Sequence, residues 1–208
     1  MMSTLERIGI VPVVVLDDPD AGPDLAAALA AGGIGCAEIT LRTPAGIPAI
    51  ARISAADPGF LVGAGTVLEP RQVDEVADAG ARFVVSPGLD PEIVERALAR
   101  GLEVLPGVAT ASEVQRALRL GLDRVKFFPA EVLGGRAAIE ALSGPFPGMR
   151  FLPSGGVTAA NAADYLATPA VFAVSGSWMV PRSDVAAGDW AAIEQLSVDT
   201  VRAAAVPR

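Results

Sequence analysis

The sequence predicts an α/β fold in which eight parallel strands close into a compact (β/α)8 barrel of the TIM type, as a single domain over residues 1–208. Strand-like segments alternate with helix-like segments along the chain, and each pair takes roughly 22 to 25 residues. Such alternation predicts parallel strands joined by right-handed crossovers. An open doubly wound sheet is the less favoured alternative, because no predicted strand leads into a helix through a G-x-G-x-x-G sequence.

The first half of the chain contains four of these units. Residues before position 10 are predicted to be mobile, and apolar strands follow over residues 10–16, 36–41, 60–64 and 82–85. Helices are predicted over residues 20–31, from 43 onward, over 70–79 and over 90–100. Thr43 and Asp90 each precede a proline, as an N-cap precedes a first helical turn. Gly32, Gly80 and Gly101 follow predicted helices, which is the position where glycine ends a helix.

The second half repeats the pattern with shorter strands. Strands are predicted over residues 103–105, 124–128, 150–152 and 170–174, and helices over 110–120, 136–142, 158–166 and 190–204. Thr110 and Glu113 have the spacing of a capping box. Gly121 ends the helix that this box opens.

The composition excludes several classes of protein. Hydrophobic residues make up 51% of the chain, charged residues 19%, and the mean hydropathy is +0.46, which is typical of strands covered on both faces rather than of a disordered chain. The net charge of −8 and the absence of any run of Lys or Arg argue against nucleic-acid binding and against anionic membranes. No apolar run is long enough to cross a bilayer, so we expect a cytoplasmic protein.

Two further absences restrict the chemistry. The chain has no histidine and a single cysteine, Cys36, so no histidine triad, internal disulfide or Cys/His metal site is expected, and no cofactor is predicted. Cys36 lies among apolar residues and is predicted to pack as a small hydrophobe. Acid–base chemistry is left to carboxylates, Tyr165, a lysine amine or water.

The only lysine in the sequence is Lys126, and the other fifteen basic residues are arginine. Val125, Phe127 and Phe128 surround it on the sixth predicted strand. In an apolar pocket an amine can lose its proton and attack a carbonyl, whereas a guanidinium cannot. A lysine that only extends to solvent from a strand end is the structural alternative. The isolated amine on so apolar a strand favours a Schiff-base lysine.

Polar and small residues follow the predicted strands, where barrel enzymes carry their active sites. They are Glu38 to Thr43, Gly65-Thr66, Ser86-Pro87-Gly88, Pro106-Gly107, Lys126, Ser154-Gly155-Gly156 and Ser175-Gly176-Ser177. Strand alternation puts Glu38 and Arg42 on one face of their strand and apolar residues on the other, where they can pack against helices. Glu38 and Arg42 would then face the barrel interior. A structural ion pair between them is one interpretation. The other is a general acid/base, oriented by an arginine that also binds an anionic substrate group.

The Gly/Ser sequences after the seventh and eighth strands are candidates for phosphate binding. Glycine lets backbone N–H groups approach a ligand, and a following helix would add a partial positive charge. Barrels often bind phosphate at this position.

These segments resemble the motifs of the KDPG/KHG aldolases. The matching sequences, in chain order, are EITLRT from Glu38, VGAGTV from Val62, SPG from Ser86, LPG from Leu105, KFFPAE from Lys126 and GSW from Gly176. The resemblance implies a class I aldolase of the Entner–Doudoroff pathway that forms a (β/α)8 barrel without a metal, usually as a homotrimer. Its substrate would be a small 2-keto acid, 2-dehydro-3-deoxy-6-phosphogluconate or a close 2-keto-3-deoxy or 4-hydroxy-2-keto acid, and the phosphorylated acid would be cleaved to pyruvate and glyceraldehyde 3-phosphate.

The resemblance also implies roles for individual residues. Lys126 matches the Schiff-base lysine and Glu38 the acid/base. Residues that match the pyruvate and carboxylate side are Arg42, Thr66, Pro87 and Phe128, and residues that match the phosphate side are Ser154, Gly155, Gly156, Gly176 and Ser177. Ser154 stands where threonine is frequent, and Ser175 stands where glycine is expected.

Three alternatives remain open from the sequence. The same chemistry could act on the galactonate epimer or on 4-hydroxy-2-oxoglutarate. A sugar-phosphate isomerase barrel would use no imine, and a binding protein would catalyse nothing.

Overall fold

The computed structural model describes residues 4–204, in which eight parallel strands form one barrel. The strands are β1 Ile10–Val14, β2 Cys36–Thr40, β3 Leu61–Gly65, β4 Phe83–Ser86, β5 Glu103–Val108, β6 Arg124–Phe127, β7 Arg150–Pro153 and β8 Val174–Gly176. Their order is β7-β6-β5-β4-β3-β2-β1-β8, and two parallel bridges close the barrel between β7 and β8, Phe151 with Val171 and Ser154 with Ser175. The predicted (β/α)8 barrel is confirmed.

Helices cover the outside of the barrel. They are α1 Thr4–Ile8, α2 Gly22–Ala31, α3 Gly46–Ala56, α4 Pro70–Asp78, α5 Pro91–Ala99, α6 Ala111–Arg119, α7 Gly135–Ser143, α8 Ala162–Leu166, α9 Arg182–Ala187 and α10 Trp190–Ala204, with a 3-10 turn at Pro19–Ala21. The predicted caps at Asp90 and Thr110 are confirmed: Asp90 accepts a hydrogen bond from the Glu92 amide, and Thr110 and Glu113 form the capping box. Within residues 4–204, no helix combines the length and apolar character needed to cross a bilayer.

The register of the strands determines which side chains face the barrel interior. Paired residues of neighbouring parallel strands point to the same side. One row of pairs runs Val13, Glu38, Gly63, Phe83, Glu103, and a second, farther along the strands, joins Gly107 to Lys126 and Leu152. Glu103 and Gly107 share a face of β5 because they are four positions apart, an even number. Glu38 and Lys126 therefore point to the same side of the sheet, which is the barrel interior because the two side chains contact each other there. Cys36, also on this side of β2, is fully buried, and burial raises the pKa of its thiol.

The prediction of a mobile N-terminus is wrong for residues 4–8, which form α1, whereas residues 1–3 lie outside the described range. Leu5 is fully buried. The Glu6 carboxylate lies 2.9 Å from the Arg124 guanidinium and 3.5 Å from that of Arg150. Both arginines stand at strand starts, so these contacts fix α1 at the N-terminal end of the barrel.

Three predicted boundaries are also wrong. Thr43 does not cap a helix: its hydroxyl donates to the Leu16 carbonyl, and α3 begins at Gly46. Helix α8 begins at Ala162 rather than at residue 158, because the Asn161 side chain binds the backbone of the preceding loop at both of its amide atoms. The eighth strand lies at Val174–Gly176, later than the predicted 170–174.

Candidate active site

A lysine–glutamate pair lies near the C-terminal end of the barrel. The Lys126 Nζ atom is 3.7 Å from Glu38 Oε1, and the two residues are only 7% and 1% exposed. The interpretation of Lys126 as a lysine that extends to solvent is therefore wrong. The alternative interpretation, a structural ion pair between Glu38 and Arg42, is also wrong: no such pair is present among residues 4–204, and Glu38 is paired with Lys126 instead.

Glycine on the adjacent strand gives the Glu38 carboxylate its space. A Cβ atom at Gly65 would lie 1.9 Å from Glu38 Oε1, so any larger residue would displace the carboxylate from the lysine. The other oxygen, Oε2, is buried and has no hydrogen-bond partner in the described chain. A buried, unpaired carboxylate oxygen is costly, and such costs are concentrated where a protein binds or transforms a ligand.

Phe128 forms one wall beside the amine. Its ring centroid lies 5.3 Å from Lys126 Nζ, close enough for a cation–π contact when the amine is charged. One edge of the same ring faces the β7 turn, since a Cβ atom at Gly155 would lie 3.1 Å from Phe128 Cδ2. Phe128 thus connects the lysine side of the site to the Gly155 turn.

Arg42 and Thr66 lie together at the mouth of the barrel. The Arg42 Nε–H donates to the Thr66 hydroxyl at 3.4 Å. The guanidinium is exposed and forms no ion pair with any described residue. This leaves a cationic group available for a carboxylate that enters the barrel.

Pro87 lies where β4 and β5 end close together. A Cβ atom at Gly107 would lie 2.1 Å from the Pro87 carbonyl oxygen, so glycine is required for this approach. The Ser86 hydroxyl donates to the Gly88 carbonyl at 2.8 Å and holds the turn. Pro87 consequently stands half-buried at the rim of the barrel.

The two Gly/Ser segments are brought together by the bridge between Ser154 and Ser175. Gly155 and Gly156 have φ of +88° and +86°, a conformation that L side chains rarely adopt. No described acceptor takes a hydrogen bond from the backbone N–H of Gly156 or Ser177, or from that of the residue after each, Val157 and Trp178. Unpaired N–H groups in two adjacent turns are suited to binding an anion.

One part of the phosphate prediction is wrong. A helix terminus was expected to contribute after β7, but α8 has only five residues and begins well after the glycine turn. Ser175 is fully buried with an unpaired hydroxyl, and no described residue other than glycine has a positive φ. The serine therefore introduces no left-handed backbone strain.

The structure adds two interior features to the sequence prediction. Gly65 was noted as part of a strand end, but its role in making room for Glu38 depends on contact between strands. Thr40 is fully buried beyond Glu38 on the same face of β2, and its hydroxyl has no partner among residues 4–204. Strand alternation was the available signal for Thr40.

Comparisons with known proteins agree on one family. The model of the family described as KDPG and KHG aldolase matches residues 1–196. The 2-dehydro-3-deoxy-phosphogluconate aldolase of Pseudomonas aeruginosa is 52% identical over 189 residues, which cover 90% of this chain and 86% of that protein.

Two solved structures have closely similar folds. The KDPG aldolase of Legionella pneumophila, with pyruvate captured at low pH as a covalent carbinolamine intermediate, has a TM-score of 0.90 and 38% identity over 95% of this chain and 98% of its own. The 2-keto-3-deoxy-6-phosphogluconate aldolase of Zymomonas mobilis ZM4 with 3-phosphoglycerate has a TM-score of 0.89 and 40% identity over 100% and 98% of the two chains. The chain belongs to the KDPG and KHG aldolase family.

Proposed function

We propose that this protein is a class I aldolase, a lyase that cleaves 2-dehydro-3-deoxy-6-phosphogluconate to pyruvate and glyceraldehyde 3-phosphate through a Schiff base on Lys126. The observation that carries the proposal is the buried amine of Lys126, 3.7 Å from the buried carboxylate of Glu38, inside the barrel. The names of the relatives and the covalent pyruvate adduct in the Legionella structure support it.

The first half of the reaction forms the imine. The neutral Lys126 amine attacks the C2 carbonyl carbon of the substrate, and the carbonyl oxygen becomes the hydroxyl of a carbinolamine. Glu38 supplies the proton with which this hydroxyl leaves as water, and a protonated imine remains on Lys126. The protonated imine accepts electrons more readily than the C2 ketone that it replaces, and the next step requires such an acceptor.

The second half breaks the C3–C4 bond. Glu38 accepts the proton of the C4 hydroxyl, C4 becomes the aldehyde carbon of glyceraldehyde 3-phosphate, and the electron pair of the broken bond forms an enamine with the imine. Protonation at C3 regenerates the imine. Addition of water then releases pyruvate and restores the lysine amine, so the reaction balances without an added oxidant or reductant.

The surrounding residues would orient the substrate. Arg42 and Thr66 would bind the C1 carboxylate at the mouth of the barrel, while Pro87 and Phe128 would enclose the pyruvyl carbons. The phosphate would lie at the other side, against Ser154 and the glycine turns at Gly155, Gly156, Gly176 and Ser177. The unpaired N–H groups there support this assignment.

Borohydride trapping with pyruvate tests the proposed chemistry. Borohydride reduces an imine to a stable amine, so intact mass spectrometry should show one added three-carbon group, and peptide mapping should place it on Lys126. A protein without an adduct, or with its adduct on the N-terminal amine, would contradict the Schiff-base mechanism and favour a barrel that uses no imine.

We expect a strong preference for the phosphorylated substrate over 4-hydroxy-2-oxoglutarate, which has no phosphate. Each hydrogen bond to a charged group contributes roughly 1.5 to 3 kcal/mol, so two retained bonds predict at least about a hundredfold difference in kcat/KM. Ser175 adds no opposing backbone strain, because its φ is not positive. Assays of pyruvate release on both acids and on the galactonate epimer measure the preference. A ratio near one would show that the site does not use the phosphate.

We also infer a homotrimer, on the basis of the family resemblance and the apolar composition. Leu68 and Val132, on loops at the C-terminal end of the barrel, are 59% and 84% exposed, which is consistent with apolar contact between copies. Light scattering at micromolar concentration should give three times the chain mass of 21.1 kDa. A monomer mass would refute the inference. The cytoplasmic location stays a prediction.

A further inference from the structure

Glu131 and Tyr165 form a contact that the proposed mechanism does not use. Glu131 ends the KFFPAE motif that begins at Lys126, and Tyr165 lies on α8. The Tyr165 hydroxyl donates a hydrogen bond to Glu131 Oε1, although the tyrosine is only 1% exposed. A buried hydroxyl needs a hydrogen-bond partner, and Glu131, itself exposed, supplies it.

The side chain of Glu131 lies directly on the glycine turn after β7. A Cβ atom at Gly156 would be 2.4 Å from Glu131 Cγ and 2.5 Å from its Cβ, so the two residues are in close contact. The backbones are joined as well: the Ala130 N–H donates to the Ser154 carbonyl at 2.8 Å, and the Glu131 N–H to the Gly155 carbonyl at 3.1 Å. These bonds occupy the carbonyls of the turn, while the N–H groups of Gly156 and Val157 remain free.

The hydrogen bond from Tyr165 holds the carboxylate near the start of α7. Glu131 Oε1 would be 3.2 Å from a Cβ atom at Gly135, the first residue of this nine-residue helix. Burial raises the pKa of Tyr165 and the bond to Glu131 raises it further, so the hydroxyl stays a donor at physiological pH. Because Glu131 Cγ lies against Gly156, loss of that donor would leave the carboxylate able to rotate toward the free N–H groups and compete with an anion for them.

We propose that Glu131 and Tyr165 are positioning residues for the phosphate-binding turn: Glu131 supports Gly156 through its aliphatic carbons, and Tyr165 keeps the Glu131 carboxylate away from the free N–H groups. The inference rests on the proposed function for its choice of ligand, a phosphate monoester. The lysine side and the phosphate side of the site are linked in this way. The loop after β6, which contains Glu131, supports the turn after β7, which would bind the phosphate.

Tyr165→Phe tests the proposal by removing a single oxygen atom. KM for 2-dehydro-3-deoxy-6-phosphogluconate should rise about tenfold, which corresponds to the loss of one hydrogen bond to the charged phosphate. The values of kcat and the yield of borohydride trapping with pyruvate should stay near wild type. kcat/KM for 4-hydroxy-2-oxoglutarate should not change. Adding Glu131→Gln to Tyr165→Phe should recover much of the loss, since a neutral amide competes less well with phosphate than a carboxylate does.

Thr168→Val is the matched control for a merely structural role. It removes another buried hydroxyl, just after α8. This hydroxyl donates to the Asp164 carbonyl at 3.3 Å and does not touch Glu131. This variant should lower the melting temperature without changing the preference between the two substrates. Equal losses of kcat/KM on both substrates in Tyr165→Phe, or no recovery with Glu131→Gln, would overturn the proposal.

Calorimetric titration with inorganic phosphate separates failure of this inference from failure of the proposed function. Phosphate binding does not require an active lysine, so it should weaken about tenfold in Tyr165→Phe even if the wild-type protein releases no pyruvate. Wild-type protein that fails borohydride trapping contradicts the aldolase proposal alone. Phosphate affinity that is the same in wild type and Tyr165→Phe overturns the positioning role alone.

Discussion

Replacing Lys126 with arginine is expected to lower the rate of pyruvate release by a factor on the order of 10⁶, the loss seen when the nucleophile of a covalent mechanism is removed. Arginine keeps the positive charge beside Glu38 but cannot form an imine, because its guanidinium stays protonated. The C3–C4 electrons would then have no acceptor. The measurement is a continuous assay of pyruvate release, together with borohydride trapping, which should give no adduct.

Arg136→Lys is a suitable control for this variant. Arg136 lies on α7 with its side chain 46% exposed, so the change adds a second lysine, on the surface, without altering the barrel interior. Its turnover should match wild type, and borohydride should still modify Lys126 alone. Turnover within tenfold of wild type in Lys126→Arg would contradict covalent catalysis by this lysine, even if the protein binds pyruvate.

Local sequence rules were sufficient for most of the barrel. Strands and helices of the predicted order appear because apolar segments, capping residues and helix-ending glycines act within a few residues of one another. The same holds for part of the site. Alternation along β2 predicted that Glu38 faces the interior, and the isolation of Lys126 among apolar neighbours predicted its burial, without knowledge of the other strands.

The features that sequence analysis missed depend on contacts between distant segments. Helix α1 is ordered because Glu6 contacts Arg124 and Arg150, which belong to strands far along the chain. Thr43 has the chemistry of an N-cap, but the Leu16 carbonyl of the neighbouring loop accepts its hydrogen bond. A local pattern cannot indicate that a stronger tertiary partner lies nearby.

The partner of Glu38 illustrates the same limit at the active site. The cation nearest to Glu38 in the sequence is Arg42, four residues later, and a prediction from the local sequence would pair the two. In the barrel, Gly65 makes room for the carboxylate, and the strand register brings Lys126 to it from the opposite part of the sheet. Closure of the barrel therefore determines that Lys126, and not Arg42, is the partner of Glu38.

Glu38→Gln is expected to reduce turnover by about 10² to 10⁴, the usual range for losing a general acid/base. Glutamine has the shape of glutamate and fits the space left by Gly65, so the change removes the ionisable group without creating a cavity. It also replaces a buried carboxylate whose Oε2 has no partner in the described chain, which offsets the loss of the 3.7 Å contact with Lys126. The melting temperature should therefore change little, as is common at functional positions.

The control for Glu38→Gln is Glu75→Gln, a change of the same chemistry at a half-exposed residue of α4 whose partner is Arg71 at 2.6 Å. Surface changes of this kind usually alter the free energy of unfolding by less than about 0.5 kcal/mol, and turnover should stay at the wild-type level. If Glu38→Gln instead kept near-normal turnover and unfolded at a clearly lower temperature, Glu38 would be a structural partner of Lys126, and the proton transfers would have to be assigned to another group. If turnover falls while the melting temperature holds, the buried carboxylate acts on the substrate, because the chain does not need its charge in order to fold.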